Sequence, residues 1–307
     1  MPFAFLTSML WAFAGFGSSR LARTYGAAPG NALRLLCATG VLIVVTFALG
    51  EMVLPPGAGW FALSGILHLA IGDVALFAVY RRLGPRIGVL IVASLAPPVA
   101  MAVEWMALGT TVGVGQLVLA TAVLVSVVLA VAPRERAHLT PAELRVGILA
   151  GILSTVGQGS SAAVTRMGYA AVAEAGGSIG PWMPTLLRCS AGAAGVLLWM
   201  SWRSLRGESW RNRPTDLLTH RRVGGHPMIW LAVSTLLGPV VGVVFYMLAM
   251  ETTPAVLVQS VLATLPVMMI PVAWVLDGNA PSRRSVICGI LAVGLAVVLI
   301  LGIPGGS

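Results

Sequence analysis

The sequence predicts an all-α integral membrane protein of ten transmembrane helices, arranged as two inverted five-helix repeats. Three observations carry this: the composition, ten long apolar runs, and a set of landmarks that recurs in the second half. Of the 307 residues, 58% are hydrophobic and 9% charged, with a mean hydropathy of +0.93. A soluble domain carries about 25% charged residues, so this chain cannot cover a water-facing surface. A soluble enzyme, a disordered regulator and a secreted disulfide scaffold are thereby excluded. The net charge of +9 comes from 19 arginines and no lysine, clustered between apolar runs. That is the charge placement of membrane loops, not of a nucleic-acid groove.

A helix needs about 20 apolar residues to cross a hydrocarbon core of ~30 Å. Ten runs qualify: 3–19, 29–49, 58–80, 86–106, 114–132, 146–165, 181–202, 227–250, 255–276 and 285–303. Backbone facing lipid must bond internally, so these runs are helices rather than strands. Most are separated by turn chemistry: Pro55-Pro56-Gly57, Gly84-Pro85, Pro133 and Asn279-Ala280-Pro281. The first run has no basic segment before it and reads as a retained helix rather than a cleaved signal.

Alternate loops hold 16 of the 19 arginines: Arg20 and Arg23; Arg81, Arg82 and Arg86; Arg134, Arg136 and Arg145; Arg203, Arg206, Arg211, Arg213, Arg221 and Arg222; Arg283 and Arg284. The opposite loops hold only Arg166, while Arg34 and Arg188 lie within spans. The positive-inside rule makes the rich side cytoplasmic and both termini non-cytoplasmic. Cys37, Cys189 and Cys288 all fall in spans, without the spacing of a disulfide framework or a metal site.

The halves resemble each other. Gly15-Phe16-Gly17-Ser18-Ser19 recurs as Gly157-Gln158-Gly159-Ser160-Ser161. Arg34 in span 2 matches Arg188 in span 7; Trp60, Ser64 and Gly72 match Trp230, Ser234 and Gly242; Pro97, Trp105 and Gly109 match Pro266, Trp274 and Gly278. Each half holds five spans, an odd number, so the second copy enters the bilayer upside down. Inverted repeats of this kind build many secondary transporters, with the binding site near the midplane between the halves. The halves are residues 1–133 and 144–307, joined by a short cytoplasmic linker at 134–143.

These features together resemble the EamA-type family of drug/metabolite transporters: ten spans in two halves, Trp11 in the first span, an arginine in the second, and a proline followed twelve residues on by glycine in spans 4 and 9. The resemblance covers nearly the whole chain. It implies transport of small polar metabolites such as amino acids, most simply as an exporter in a bacterial inner (plasma) membrane. One position departs. The family often places glutamate after that glycine, where this chain has Thr110 and Asn279.

Ionisable residues inside a membrane are costly and mark function or internal pairing. Asp73 lies near mid-membrane in span 3, where snorkelling is hard; it is the candidate for carrying a coupling proton or binding a substrate amine. Arg34, Glu104, Arg188 and Asp277 lie nearer span ends and are gating candidates beside it, although terminal charges often snorkel. By depth, Arg34 faces Asp277 and Arg188 faces Glu104, and each pair would seal one end of a pathway. Trp11, Ser18, Gln158, Ser161, Tyr246 and Gln259 are candidate pocket residues because they lie within spans; close helix packing is the alternative for the glycine–serine pairs. Gly147-x-x-x-Gly151 reads as an intramolecular packing motif. His68, the one histidine in a span, lies five residues before Asp73, about 140° away on an α-helix, so the two are not expected to share a face.

No nucleophile elbow, phosphate-binding loop or zinc motif is present, so no enzyme activity, cofactor or metal is expected. The expected function is secondary transport of a small polar molecule by alternating access, with membrane lipids and a coupling proton as partners. A membrane-embedded enzyme or lipid-handling protein is the alternative.

Overall fold

The computed structural model describes residues 2–111, 113–131, 140–207, 227–277 and 283–301, with no strand among them. Ten spans result. Spans 1 and 2 are α1 (Pro2–Tyr25) and α2 (Ala27–Ala48). Span 3 begins with α3 (Ala58–Gly65), passes through a π-helical segment (Ile66–Gly72) and enters α4 (Asp73–Leu108), whose second half is span 4. Spans 5, 6 and 7 are α5 (Val114–Val131), α6 (Pro141–Glu174) and α7 (Trp182–Leu205). Span 8 joins α8 (Pro227–Thr235) to α9 (Val241–Thr252) through a second π segment, Leu236–Val240. Span 9 is α10 (Ala255–Leu262) with α11 (Leu265–Asp277), and span 10 is α12 (Arg283–Leu301). Residues 27–48, 58–83, 88–108, 141–174, 182–205 and 227–252 are each long and apolar enough to cross a bilayer unaided.

Although α4 is helical from end to end, it contains a reversal. A Cβ at Gly88 would lie 3.0 Å from Val79 and Tyr80 side-chain atoms. A straight helix would separate residues 79 and 88 by about 13 Å. The partners of α6 agree: Gly147 meets Leu83 and Gly157 meets Gly72, an antiparallel order, whereas Gly151 meets Ile91 and Gly159 meets Ala96 and Val99, a parallel order. The chain therefore turns between Leu83 and Gly88, as Gly84-Pro85 predicts. Gly147 and Gly151 serve contacts within the chain, since Leu83 and Ile91 fill the space their missing side chains leave.

Several helices extend past the predicted boundaries, because a helix can continue into the headgroup region once it has left the hydrocarbon. Between α1 and α2 only Gly26 intervenes, at φ 96°, a conformation that favours glycine. The start of α6 is set by a capping box: the Thr140 hydroxyl accepts from the Glu143 backbone N–H, and the Glu143 carboxylate accepts from the Thr140 N–H. The two π segments begin at residues 66 and 236, the same offset of 170 that relates Ser64 to Ser234. They are a further landmark of the internal repeat. Arg134, Arg136, Arg211, Arg213, Arg221 and Arg222 lie outside the described residues, as do Pro133, Gly278 and Asn279.

Candidate functional site

A cavity of about 90 Å³ lies where the two halves meet. The first half contributes Trp11 and Ser18 from α1, Arg34 from α2, His68 from the π segment, and Asp73 and Tyr80 from α4. The second contributes Gln158 from α6 and Gln259 from α10. The remaining lining is largely apolar.

Arg34 and Asp73 form a hydrogen-bonded ion pair, with side chains only 7% and 9% exposed. Asn31 holds it in place: one turn before Arg34, its Oδ1 accepts from Arg34 Nη2 at 2.8 Å. Its Nδ2 donates to the Leu69 carbonyl in the π segment at 2.6 Å. The Arg34 guanidinium also lies 5.1 Å from the Phe77 ring centroid, a cation–π contact. Arg34 Nε has no hydrogen-bond partner among the described residues.

The π segment changes which residues share a face. Asp73 N–H donates to the His68 carbonyl, an i→i+5 bond. Residues five apart are thereby stacked, and His68 Nε2 lies 3.9 Å from Asp73 Oδ1. The expectation that His68 and Asp73 point apart is therefore corrected: it assumed α-helical periodicity where the backbone is wound more widely.

A second charged cluster lies beyond His68. Arg188 is fully buried and donates to Ser64 Oγ, Thr165 Oγ1 and, at 3.2 Å, Ser161 Oγ. Its Nη2 also lies 3.2 Å from His68 Nδ1, and its guanidinium sits 5.2 Å from the Tyr246 ring centroid. Ser161 in turn donates to the Ser64 carbonyl at 2.8 Å. Gly65 makes this possible, because a Cβ there would overlap the Arg188 backbone. Trp11 stacks on Tyr246 and meets His68 edge-on, both at 5.6 Å, so aromatic rings separate the cavity from this cluster.

Of the seven candidate pocket residues, Trp11, Ser18, Asp73, Gln158 and Gln259 line the cavity. Ser161 and Tyr246 belong instead to the Arg188 cluster. Ser18 shares a 2.7 Å hydrogen bond with Ser234, and Gln158 donates to Ser154 at 3.0 Å, so each also holds helices in register.

One of the two gating pairs inferred from depth, Arg188 with Glu104, is corrected. Glu104 faces Arg166 at 3.5 Å, not Arg188, and its Oε2 accepts from the Ala255 N–H at 2.7 Å, at the start of α10. Arg166 also donates to the Met250 and Glu251 carbonyls at the end of α9, at 2.7 and 2.8 Å. Arg34 pairs with Asp73, while the Asp277 side chain lies outside the described residues. Depth along a helix sets height in the membrane but not azimuth, and azimuth decides the partner. Sequence reasoning also missed Asn31 and Thr165: the spacing of three residues put Asn31 on the same helix face as Arg34 and could have found it, whereas Thr165, 23 residues from Arg188, gave no signal without the tertiary crossing.

The fold and cavity define a polytopic membrane protein whose inverted halves enclose a small charged chamber, as in many secondary transporters. A family model described as the EamA-like transporter family matches residues 1–132 and 142–302. The chain belongs to this family. One solved crystal structure has a similar fold at a TM-score of 0.71 and 19% sequence identity, covering 97% of this chain and 95% of that chain. A comparison with curated proteins finds no match.

Proposed function

We propose that this transporter moves small zwitterionic metabolites, amino acids or related compounds, outward by alternating access between halves 1–133 and 144–307. The observation that carries this reading is the buried Arg34–Asp73 pair on the cavity wall. A zwitterion can exchange that one internal pair for two, its amine on Asp73 and its carboxylate on Arg34. The unpartnered Arg34 Nε supplies an additional donor for a carboxylate. Breaking a buried pair by removing one partner costs about 3–5 kcal/mol, so a ligand with a single charge would leave one side chain uncompensated. Asp73 is also the residue placed to carry a coupling proton. Trp11, Ser18, Gln158 and Gln259 shape the remainder of the site.

In this reading the arginine-rich loops face the cytoplasm, both termini face away from it, and the protein resides in a bacterial inner membrane. On the same reading Glu104, Arg188 and Arg166 form the closure of the arginine-poor end. Purified protein in liposomes should accumulate labelled amino acids against a gradient when a proton gradient is imposed, without altering them chemically. Product formation without flux would sink the transport reading in favour of a membrane-embedded enzyme.

A further inference from the structure

Arginine carries hydrogen-bond donors and no acceptor. The nitrogen of His68 that meets Arg188 Nη2, Nδ1 at 3.2 Å, must therefore offer its lone pair. The neutral ring then carries its proton on Nε2, the atom that faces Asp73 Oδ1 at 3.9 Å. A single imidazole thus has its acceptor on a cation of the second half and its donor toward the carboxylate of the first. The ring is 4% exposed and held between Trp11 and Tyr246, with the cavity it lines as its one open neighbour. The charged groups around it are Asp73 with its partner Arg34 on one side and Arg188 on the other.

We propose that His68 is a positioning residue that links the charge state of Asp73 to Arg188, and through Arg188 to closure of the arginine-poor end. Loss of the Asp73 charge removes the electrostatic attraction, acting across 3.9 Å, that orients the Nε2–H. The ring is then no longer fixed with its Nδ1 toward Arg188. Arg188 ties Ser64 of the first half to Ser161 and Thr165 of the second, beside the direct Ser161–Ser64 bond, so weakening its hold loosens that seam. The π segment is the structural reason the link exists, because an α-helical turn would have pointed His68 and Asp73 apart. The sequence repeat has no counterpart: Gly238 stands where His68 would recur and Val243 where Asp73 would. The link therefore works in one direction only. It rests on the alternating-access reading above.

The test needs no substrate. In protein with Cys37, Cys189 and Cys288 replaced by alanine, Val172→Cys places a thiol in the packed arginine-poor end, where Val172 is 4% exposed. The probe is N-ethylmaleimide, and Asp73→Asn mimics the neutral carboxyl. With His68 present, Asp73→Asn should raise the labelling rate roughly fivefold or more, the scale of one hydrogen bond. Two variants each cut one side of the link. His68→Asn keeps an acceptor at the Nδ1 position for Arg188 but cannot reach Asp73; His68→Gln reaches Asp73 but offers no acceptor at the Nδ1 position, leaving Arg188 its hydroxyl partners alone. In either background Asp73→Asn should change labelling less than about twofold. An equal rise in all backgrounds, or no rise in any, would overturn the proposal. Should either variant be poorly folded, nitrogen-15 NMR of histidine-labelled wild-type protein decides on its own: a neutral Nε2–H tautomer for His68 is expected, and an Nδ1–H tautomer or an imidazolium refutes the link. Because neither measurement involves flux, failure here leaves the transport reading standing, whereas absence of flux in liposomes removes the functional meaning of the link without changing either readout.

Discussion

Glu104→Ala tests whether a single buried carboxylate holds the turn between spans 8 and 9. Glu104 is 1% exposed and accepts the Ala255 N–H at 2.7 Å, at an α10 N-terminus that has no side-chain cap of its own. A hydrogen bond to a charged group contributes about 1.5–3 kcal/mol. The favourable end of the helix dipole adds ~0.3–1 kcal/mol. The contact with Arg166 adds at most about 1 kcal/mol, because that side chain is 22% exposed and keeps its two carbonyl partners. The total is roughly 2–5 kcal/mol, or a fall in Tm of roughly 4–20 °C at about 2–4 °C per kcal/mol. Glu104→Gln preserves an acceptor for Ala255 and loses only the charge, so it should cost about half as much. Thermal unfolding in detergent, followed by loss of monodisperse protein, separates the two. Equal melting temperatures for Glu104→Ala and the wild type would refute the reasoning. So would a Gln variant no better than Ala.

Asp73→Asn should insert and fold but lose uphill transport, measured in liposomes under an imposed proton gradient; normal pumping at every pH would make Asp73 structural. Gly65→Ala should destabilise by about 3 kcal/mol, the upper end for overpacking, because a Cβ there meets the backbone of Arg188 rather than a movable side chain. Gly40→Ala in α2 meets nothing within 4 Å and should instead gain about 0.5–1 kcal/mol in the same melting assay. A reporter that fluoresces only in the cytoplasm, fused after Ser307, should stay dark; a bright fusion would reverse the orientation.

The span pattern was legible because hydrophobic length is a one-dimensional property, and the repeat because its landmarks keep their order. Gly84-Pro85 marked a reversal that secondary structure alone passes over as continuous helix. What could not be read was azimuth. Arg34 and Asp73 are 39 residues apart, and nothing in either segment names the other. Their pairing follows from the crossing of α2 with span 3, which depends on how every neighbouring helix packs. The same holds for Arg166 and Glu104. His68 shows a different failure. Its position was visible, but the rule used to dismiss it assumed 3.6 residues per turn, and a π segment has no strong sequence signature. In the second half Pro239, which lacks an N–H, gives a local reason for the widened turn; in the first, only the glycines that flank it, Gly65 and Gly72, are suggestive.

The internal symmetry and its violations together constrain how the two ends differ. If the halves simply exchanged conformations, a perfectly repeated sequence would make the two end states equal in energy, because each would contain the same contacts in reversed order. The arginines are repeated, as Arg34 and Arg188, and so are the π segments. The acids are not. Val243 stands at the position matching Asp73, Ala273 at that matching Glu104 and Thr24 at that matching Arg166. The Glu104–Arg166 clamp on the α9–α10 turn therefore has no counterpart in the sequence repeat, and in the alternating-access cycle proposed above its contribution falls on one state only. If it is worth roughly 3 kcal/mol, the state closed at the arginine-poor end is favoured by about two orders of magnitude before any ligand binds. A substrate that engages Arg34 and Asp73 must then supply differential affinity of that size to reverse the balance. The cavity's own ion pair is the reserve from which a zwitterion can draw it. On this account the acids, rather than the repeated arginines, give an otherwise symmetric scaffold its direction.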